Sequence, residues 1–329
     1  MKVRQLALTL FAAAAFATPL MAQSPRPVEL IVFPGGFNWP IWAAEEKGFF
    51  ARNNISVKVT PTPNSQFQLT NLIDGKFDIA MTAIDNVVAY MEGQGAAPTQ
   101  QQPDIFAFMG GDDGFLRLVA VPEVKTIADL KGKQLSVDAL TTGYAFVLRK
   151  LIDRAGIGKD VEYVRAGGVL QRFQALMEKK HAATLLISPF EVEAESKGFN
   201  RLADGSAALG AYQGLVAASR REWAKQNEAQ VVGYIRAYVA ALDWLYTPAN
   251  KAEAIAILRK NLPNMQETQA NRSYEVLLDP KTGFARKAAL NEAGIKTVLE
   301  LRSEYGEPNK KLTDPQKYYD LSYYRKATQ

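Results

Sequence analysis

The sequence predicts an α/β protein in which mixed sheets are flanked by helices and the chain is divided between two lobes. Three observations predict this. From Val28 onward a short strand pattern, a polar turn and a helix follow one another repeatedly, the alternation expected of a parallel or mixed sheet. From Arg221 the chain turns predominantly helical, and those helices need a sheet to pack on, for which the N-terminal one is the candidate. Between the two, AYQGLVAAS (Ala211–Ser219) reads as a strand returning to the first lobe, which leaves residues 113–212 as an inserted second unit.

Taken in order, the chain opens with Lys2 and Arg4 before an apolar run, Leu6 to Ala17, and small residues near Ala22. That run is short for a membrane span and has the layout of a secretory signal peptide, so residues 1–22 are set apart from the fold. The 329-residue chain contains no cysteine, which excludes disulfides, thiolate metal sites and a lipid on a cysteine at the cleavage point. The expected product is a free periplasmic protein. The 39 basic and 34 acidic residues give +5, and removing Lys2 and Arg4 leaves 37 − 34 = +3. So small and scattered an excess, with no reading motif, argues against nucleic-acid binding.

VELIVFP (Val28–Pro34) has the pattern of a buried strand, ended by Pro34-Gly35-Gly36. Phe37, Asn38 and Trp39 follow, just beyond its carboxyl end, the side on which open α/β sheets bind ligands. They read equally well as core aromatics with a polar neighbour covering the end of the sheet. Ile55–Val59 alternates as a second strand. Phe77–Met81 is a third, with Thr82 and Ala83 in the ligand-facing turn and Asp85 suited to the first turn of the next helix. After a Pro/Gln-rich loop, DIFAFMG runs into the glycine turn Gly110–Phe115, which lacks the spacing and distal glutamate of a calcium loop. Arg117–Val121 gives the next strand.

The stretch SVDALTTGYAFVLRKLIDRAG (Ser136–Gly156) is a strand breaking into a turn at Thr141, Thr142 and Gly143, followed by a helix with Phe146, Val147, Leu151 and Ile152 on its apolar face. Unpaired N–H groups at such a helix start, with hydroxyls beside them, make a polar pocket; a threonine there also serves simply as a cap. A strand at Glu162–Arg165 with the Gly167-Gly168 turn, and another ending at Ser188-Pro189-Phe190, repeat the pattern. Val231, Ile235, Tyr238, Val239, Leu242 and Leu245 recur at helical spacing and are core. His181, the only histidine, falls in a helix-to-strand loop and reads as a surface residue. The glycine pairs at Gly35, Gly110 and Gly167 do not make a dinucleotide fingerprint. Without cysteine, a histidine pair or clustered carboxylates, nucleophilic and metal catalysis have little material, and neither a cofactor nor a metal is expected.

The Trp39–Phe50 run WPIWAAEEKGFF, IDGKFDIA (Ile73–Ala80), IADLKGKQLSV (Ile127–Val137) and LIDRAGI (Leu151–Ile157) together resemble the periplasmic substrate-binding proteins of ABC importers. Within them the likeness is to the nitrate-, sulfonate-, taurine- and thiamine-precursor-binding branch. The resemblance implies a type 2 periplasmic binding fold, with lobe one formed by 23–112 and 213–329, lobe two by 113–212, and crossovers near Gly110–Arg117 and Ala211–Val216. It implies a small-molecule ligand closed between the lobes, a monomer, and membrane permease subunits as partners. Carried over by position, Phe37–Trp39 and Thr82–Asp85 face Thr141–Tyr144 and Ser188–Phe190. His181-Ala182-Ala183-Thr184 departs from the aspartate-alanine pair frequent before the Ser188 turn. Relatives of this fold also include biosynthetic enzymes of thiamine-pyrimidine and menaquinone type, from which the signal peptide separates this chain.

Helix starts and polar turns favour an oxyanion such as a carboxylate or sulfonate. Phe37, Trp39, Tyr144, Phe190 and Tyr212 favour a flat or apolar body, so the expected ligand is a small organic anion, with an aromatic or pyrimidine-like compound as the alternative. Arg117 and Arg172 are the nearest arginines in sequence to the turns.

Overall fold

A computed structural model describes residues 27–329. The expected signal peptide, residues 1–22, lies outside the described residues. The strands are β1 (Val28–Val32), β2 (Val57–Pro61), β3 (Ile79–Ala83), β4 (Ile105–Gly110), β5 (Arg117–Ala120), β6 (Gln134–Val137), β7 (Glu162–Arg165), β8 (Ala183–Leu186), β9 (Asn200–Asp204) and β10 (Leu215–Arg220). They form two five-stranded sheets, β2-β1-β3-β10-β4 and β7-β6-β8-β5-β9. Both sheets follow one plan. In the first, β1 pairs in parallel with β2 and β3, while β10 runs antiparallel to β3 and β4. In the second, β6 pairs in parallel with β7 and β8, while β5 runs antiparallel to β8 and β9. The antiparallel strand of each sheet is the one that the chain enters on crossing from the other.

β1, inside its sheet, and β4, at a sheet edge but covered by helices Ile84–Met91 and Ser322–Thr328, read as apolar runs. IFAFMG of β4 is buried throughout, and four of the five residues of β1 are buried. The strand at 200–204 was not evident from the sequence: NRLAD offers no alternation, and its residues, on an edge strand, are half-buried or exposed. His181 is half-buried rather than on the surface, and its Nδ1 is enclosed without a partner among the described residues. Burial and the neighbouring Lys180 lower its pKa.

The helical C-terminal third covers the first sheet and reaches the second. Helix Glu228–Leu245 packs on Trp39–Glu46, and Tyr234 stacks on Phe50 at 5.9 Å. Helix Glu292–Tyr305 packs against both Ile84–Met91 and Gly143–Arg154, one from each half of the molecule. Its approach depends on Gly110, where a Cβ would lie 2.1 Å from the Ala289 carbonyl oxygen. Backbone cannot yield there as a flexible side chain would. Gly110→Ala is therefore expected to lower unfolding free energy by about 1–3 kcal/mol, measured by urea denaturation, through displacement of the segment before the helix.

Candidate functional site

The two sheets turn strand ends toward each other, and a cavity of about 60 Å³ lies between them. Phe33 and Phe37 follow β1, Ala83 ends β3, and Asn86 stands in the first turn of the next helix. Opposite them, Asp138, Thr142, Gly143 and Tyr144 follow β6, Val169 and Arg172 lie on helix Val169–Met177, and Ile187 follows β8. Asp112 and Phe115 on one crossover and Leu215 at the start of β10 close the inner end.

Asp112 ties the two crossovers together. Its carboxylate Oδ1 accepts from the Gly114 and Leu215 backbone N–H groups at 2.8 and 3.2 Å. Its carbonyl accepts from Gly214 N at 3.0 Å and Gln213 Nε2 at 2.9 Å. Burial pushes its carboxyl up to about 6, against those two backbone bonds, and the nearby Asp113 adds to the rise.

Arg172, 4 % exposed, is the cation of the cavity wall. Nη1 donates to the Leu185 carbonyl at 2.8 Å and Thr184 Oγ1 at 3.4 Å, and the Thr184 hydroxyl donates to Ser136 O at 2.8 Å. Arg172 Nε is buried with no partner among the described residues. Burial lowers the Arg172 pKa, while Asp138 and Tyr144 oppose that shift. Asp138 Oδ2 accepts from Ser65 N at 3.0 Å, and its Oδ1 is likewise buried without a partner. Tyr144, its pKa raised by burial and then by Asp112, stands 6.4 Å from Tyr212, ring centroid to centroid. The wall is thus mainly aromatic and aliphatic, with buried unpartnered polar atoms on Arg172 and Asp138.

Of the residues singled out from sequence, Phe37, Ala83, Thr142, Gly143 and Tyr144 line this cavity. Thr142 stands at the helix N-cap, but its hydroxyl donates to Ala139 O at 3.0 Å instead of accepting from the first turn. The other eight do not line it. Trp39 is fully buried, donates its indole N–H to Ala254 O at 3.0 Å and meets Tyr274 edge-on at 5.9 Å. Asn38 donates to Phe33 O at 2.7 Å. Thr82 accepts from Asn86 Nδ2 at 2.9 Å, within the helix start. Ser188 donates its hydroxyl to the buried Glu191, Phe190 packs on Phe173 at 5.1 Å, and Tyr212 lies behind Tyr144.

Asp85 and Thr141 meet at Arg302. Arg302 Nε and Nη2 donate to Asp85 Oδ1 and Oδ2, each at 2.7 Å, and Nη2 also donates to the Thr141 carbonyl at 2.7 Å. Both charged side chains are buried, at 0 and 1 % exposure. Asp112, Asp138 and Asn86 escaped the sequence reading, although Asp138 sits at a strand end like the residues it did select, in SVDA.

The NMT1/THI5 like family model matches residues 38–252, 215 of the 329 residues. The chain belongs to this family. No curated protein matches the sequence. Among solved structures, a protein from Bordetella bronchiseptica RB50 is similar at 18 % identity and TM-score 0.77, over 92 % of this chain and 97 % of that one. The periplasmic nitrate-binding protein NrtA from Synechocystis PCC 6803 gives 13 % and 0.76, over 93 % and 89 %. The periplasmic aliphatic sulphonate binding protein SsuA from Escherichia coli gives 17 % and 0.65, over 90 % and 92 %. At these identities the likeness is one of fold, the two-lobed periplasmic binding fold that the family member shares with them.

Two predictions follow from the charged groups. The raised pKa of Asp112 means that the native state holds a proton more tightly than the unfolded chain. Stability from this group is therefore full below pH 4, roughly the unfolded value, and is lost as pH rises through about 6. Asp112→Asn keeps the side-chain oxygen acceptor, and the native-minus-variant stability should fall by up to about 3 kcal/mol across that window, read by urea denaturation at successive pH values. Arg302→Met strands the Asp85 carboxylate without its partner and should cost about 3–5 kcal/mol; adding Asp85→Leu should restore part of the loss.

Proposed function

We propose that this chain is an extracytoplasmic solute-binding protein that captures a small organic molecule between lobes 23–112 with 213–329 and 113–212, and delivers it to the membrane permease subunits of an ABC importer. The observation that carries the reading is the cavity itself. It sits where strand ends of two sheets converge, is walled by rings, and holds a spare donor on Arg172 beside a spare acceptor on Asp138. The binding roles printed for the nitrate and sulphonate proteins of the same fold support it. Export by the residues 1–22 signal would put the protein in the periplasm as a monomer.

Arg172 is the group that an anionic ligand would meet, Phe37 and Tyr144 the rings against which its body would lie, and Ala83, Thr142 and Gly143 the close walls. Asp112 and Asp138 add that the same ligand carries an N–H or O–H donor, since a purely anionic one would face two carboxylates across the cavity. Asp85 and Thr141 act behind the wall, through Arg302.

A thermal-shift screen of the protein against taurine, benzoate, nitrate and cytosine tests this. One compound class should raise Tm by several degrees. Tyr144→Ala should weaken that compound about tenfold or more, whereas Thr141→Ala should bind normally because Thr141 contributes its backbone carbonyl. Response to nitrate alone would overturn the organic ligand, and turnover of a bound compound would favour the biosynthetic-enzyme alternative.

A further inference from the structure

At the mouth of the cavity the two halves touch through a few hydrogen bonds. Gly36 N donates to Ser188 O at 3.1 Å, Gly168 N to Pro63 O at 2.9 Å, and Ser65 N to Asp138 Oδ2 at 3.0 Å. The first two join backbone to backbone. The third is different because it uses a charged side chain that is also part of the cavity wall.

Ser65 is the first residue of helix Ser65–Ile73, and the N-cap side chain of Asn64 is already committed to Phe67 N at 2.7 Å. The Ser65 N–H is one of the first-turn donors that a helix cannot satisfy internally, and it lies at the positive end of the helix dipole. Its acceptor comes from the other half of the molecule. The hydrogen bond of the Asp138 carboxylate runs across the junction, while within its own lobe the carboxylate acts on Arg172 through charge. The second oxygen, buried in the wall and unpartnered, is left for a donor inside the cavity.

We propose that Asp138 is a cross-cleft clasp, a positioning residue that holds the closed form by capping helix Ser65–Ile73 from the opposite lobe while turning its other oxygen to the ligand. This rests on the reading of the cavity as a solute site, but the clasp is measurable without any ligand. A ligand offering an N–H or O–H to the second oxygen then strengthens closure with the same residue that recognises it.

The absence of cysteine allows a single labelled pair, Lys58→Cys and Lys159→Cys, exposed on opposite lobes, to report the separation by double electron–electron resonance. In ligand-free protein Asp138→Ala should lower the closed-to-open ratio about threefold to tenfold, with the far-UV spectrum unchanged and Tm lowered by at most a few degrees. Asp138→Asn, which keeps an oxygen acceptor but not the charge, should fall between. Gly168→Ala is the positive control: its φ of −61° suits alanine, while the added Cβ would lie 2.8 Å from Pro63 O and push the mouth apart. An unchanged distance distribution in Asp138→Ala, or an unaltered protein that shows only the open distance, overturns the clasp. Absence of any hit in the ligand screen would overturn the solute-binding reading and leave this result standing.

Discussion

The arrangement of the two halves depends on one buried guanidinium. Arg302 holds both oxygens of Asp85 at the start of helix Ile84–Met91 and the Thr141 carbonyl just before helix Gly143–Arg154, and its plane lies 4.9 Å from the Phe146 ring. Gln94 accepts from its remaining nitrogen at 3.1 Å. A fully buried charge is tolerated only when its donors are taken up, and here the partners come from both lobes. The contact is made closer by Gly143, where a Cβ would lie 2.4 Å from the Asp85 side chain. Helix Glu292–Tyr305, carrying Arg302, thereby fixes the inner edge of the interface.

The mouth is held very differently. Its backbone bonds join Gly36 to Ser188 and Gly168 to Pro63, Ser65 donates to the Asp138 carboxylate, Arg165 reaches Gln66 at 3.3 Å, and Arg272 pairs with Glu195 at 2.6 Å. The charged partners at the inner edge are fully buried, whereas the Arg272–Glu195 pair farther out is partly exposed, which gives the interface a firm side and a light side. The Asp112 crossover junction lies with the firm side, and Asp138 is a charged group on the light one. Separation of the halves therefore meets least resistance at the mouth, which is also the route to the cavity.

What the sequence disclosed follows from the reach of each signal. Strand-then-turn patterns are local, and all carboxyl strand ends of a parallel set face one way, so Phe37, Ala83, Gly143 and Tyr144 could be placed beside a common cavity before any coordinates. Side-chain commitments are not local. Trp39 has the position of a ligand-stacking ring, but its indole N–H is taken by Ala254, 215 residues away, and Asp85 is taken by Arg302, 217 residues away. Nothing in WPIW or AIDN announces those partners. Asp112 was hidden for a related reason: a glycine-rich acidic turn looks like a loop, and only the return of Gln213–Leu215 beside it makes the junction.

The size of the cavity limits what the closed form can hold. About 60 Å³ is well under half of the roughly 150 Å³ of an apolar cavity that holds a benzene ring. The rings of Phe37 and Tyr144 and the aliphatic Val169 and Ile187 are packed against the core, so little room can be made by rotating them. The backbone bonds at the mouth can lengthen at smaller cost than the Arg302 cluster can be broken, because no charge is uncovered. A ring-sized ligand is therefore accommodated by a slightly parted mouth, and the donor it offers to Asp138 decides how far that mouth shuts again.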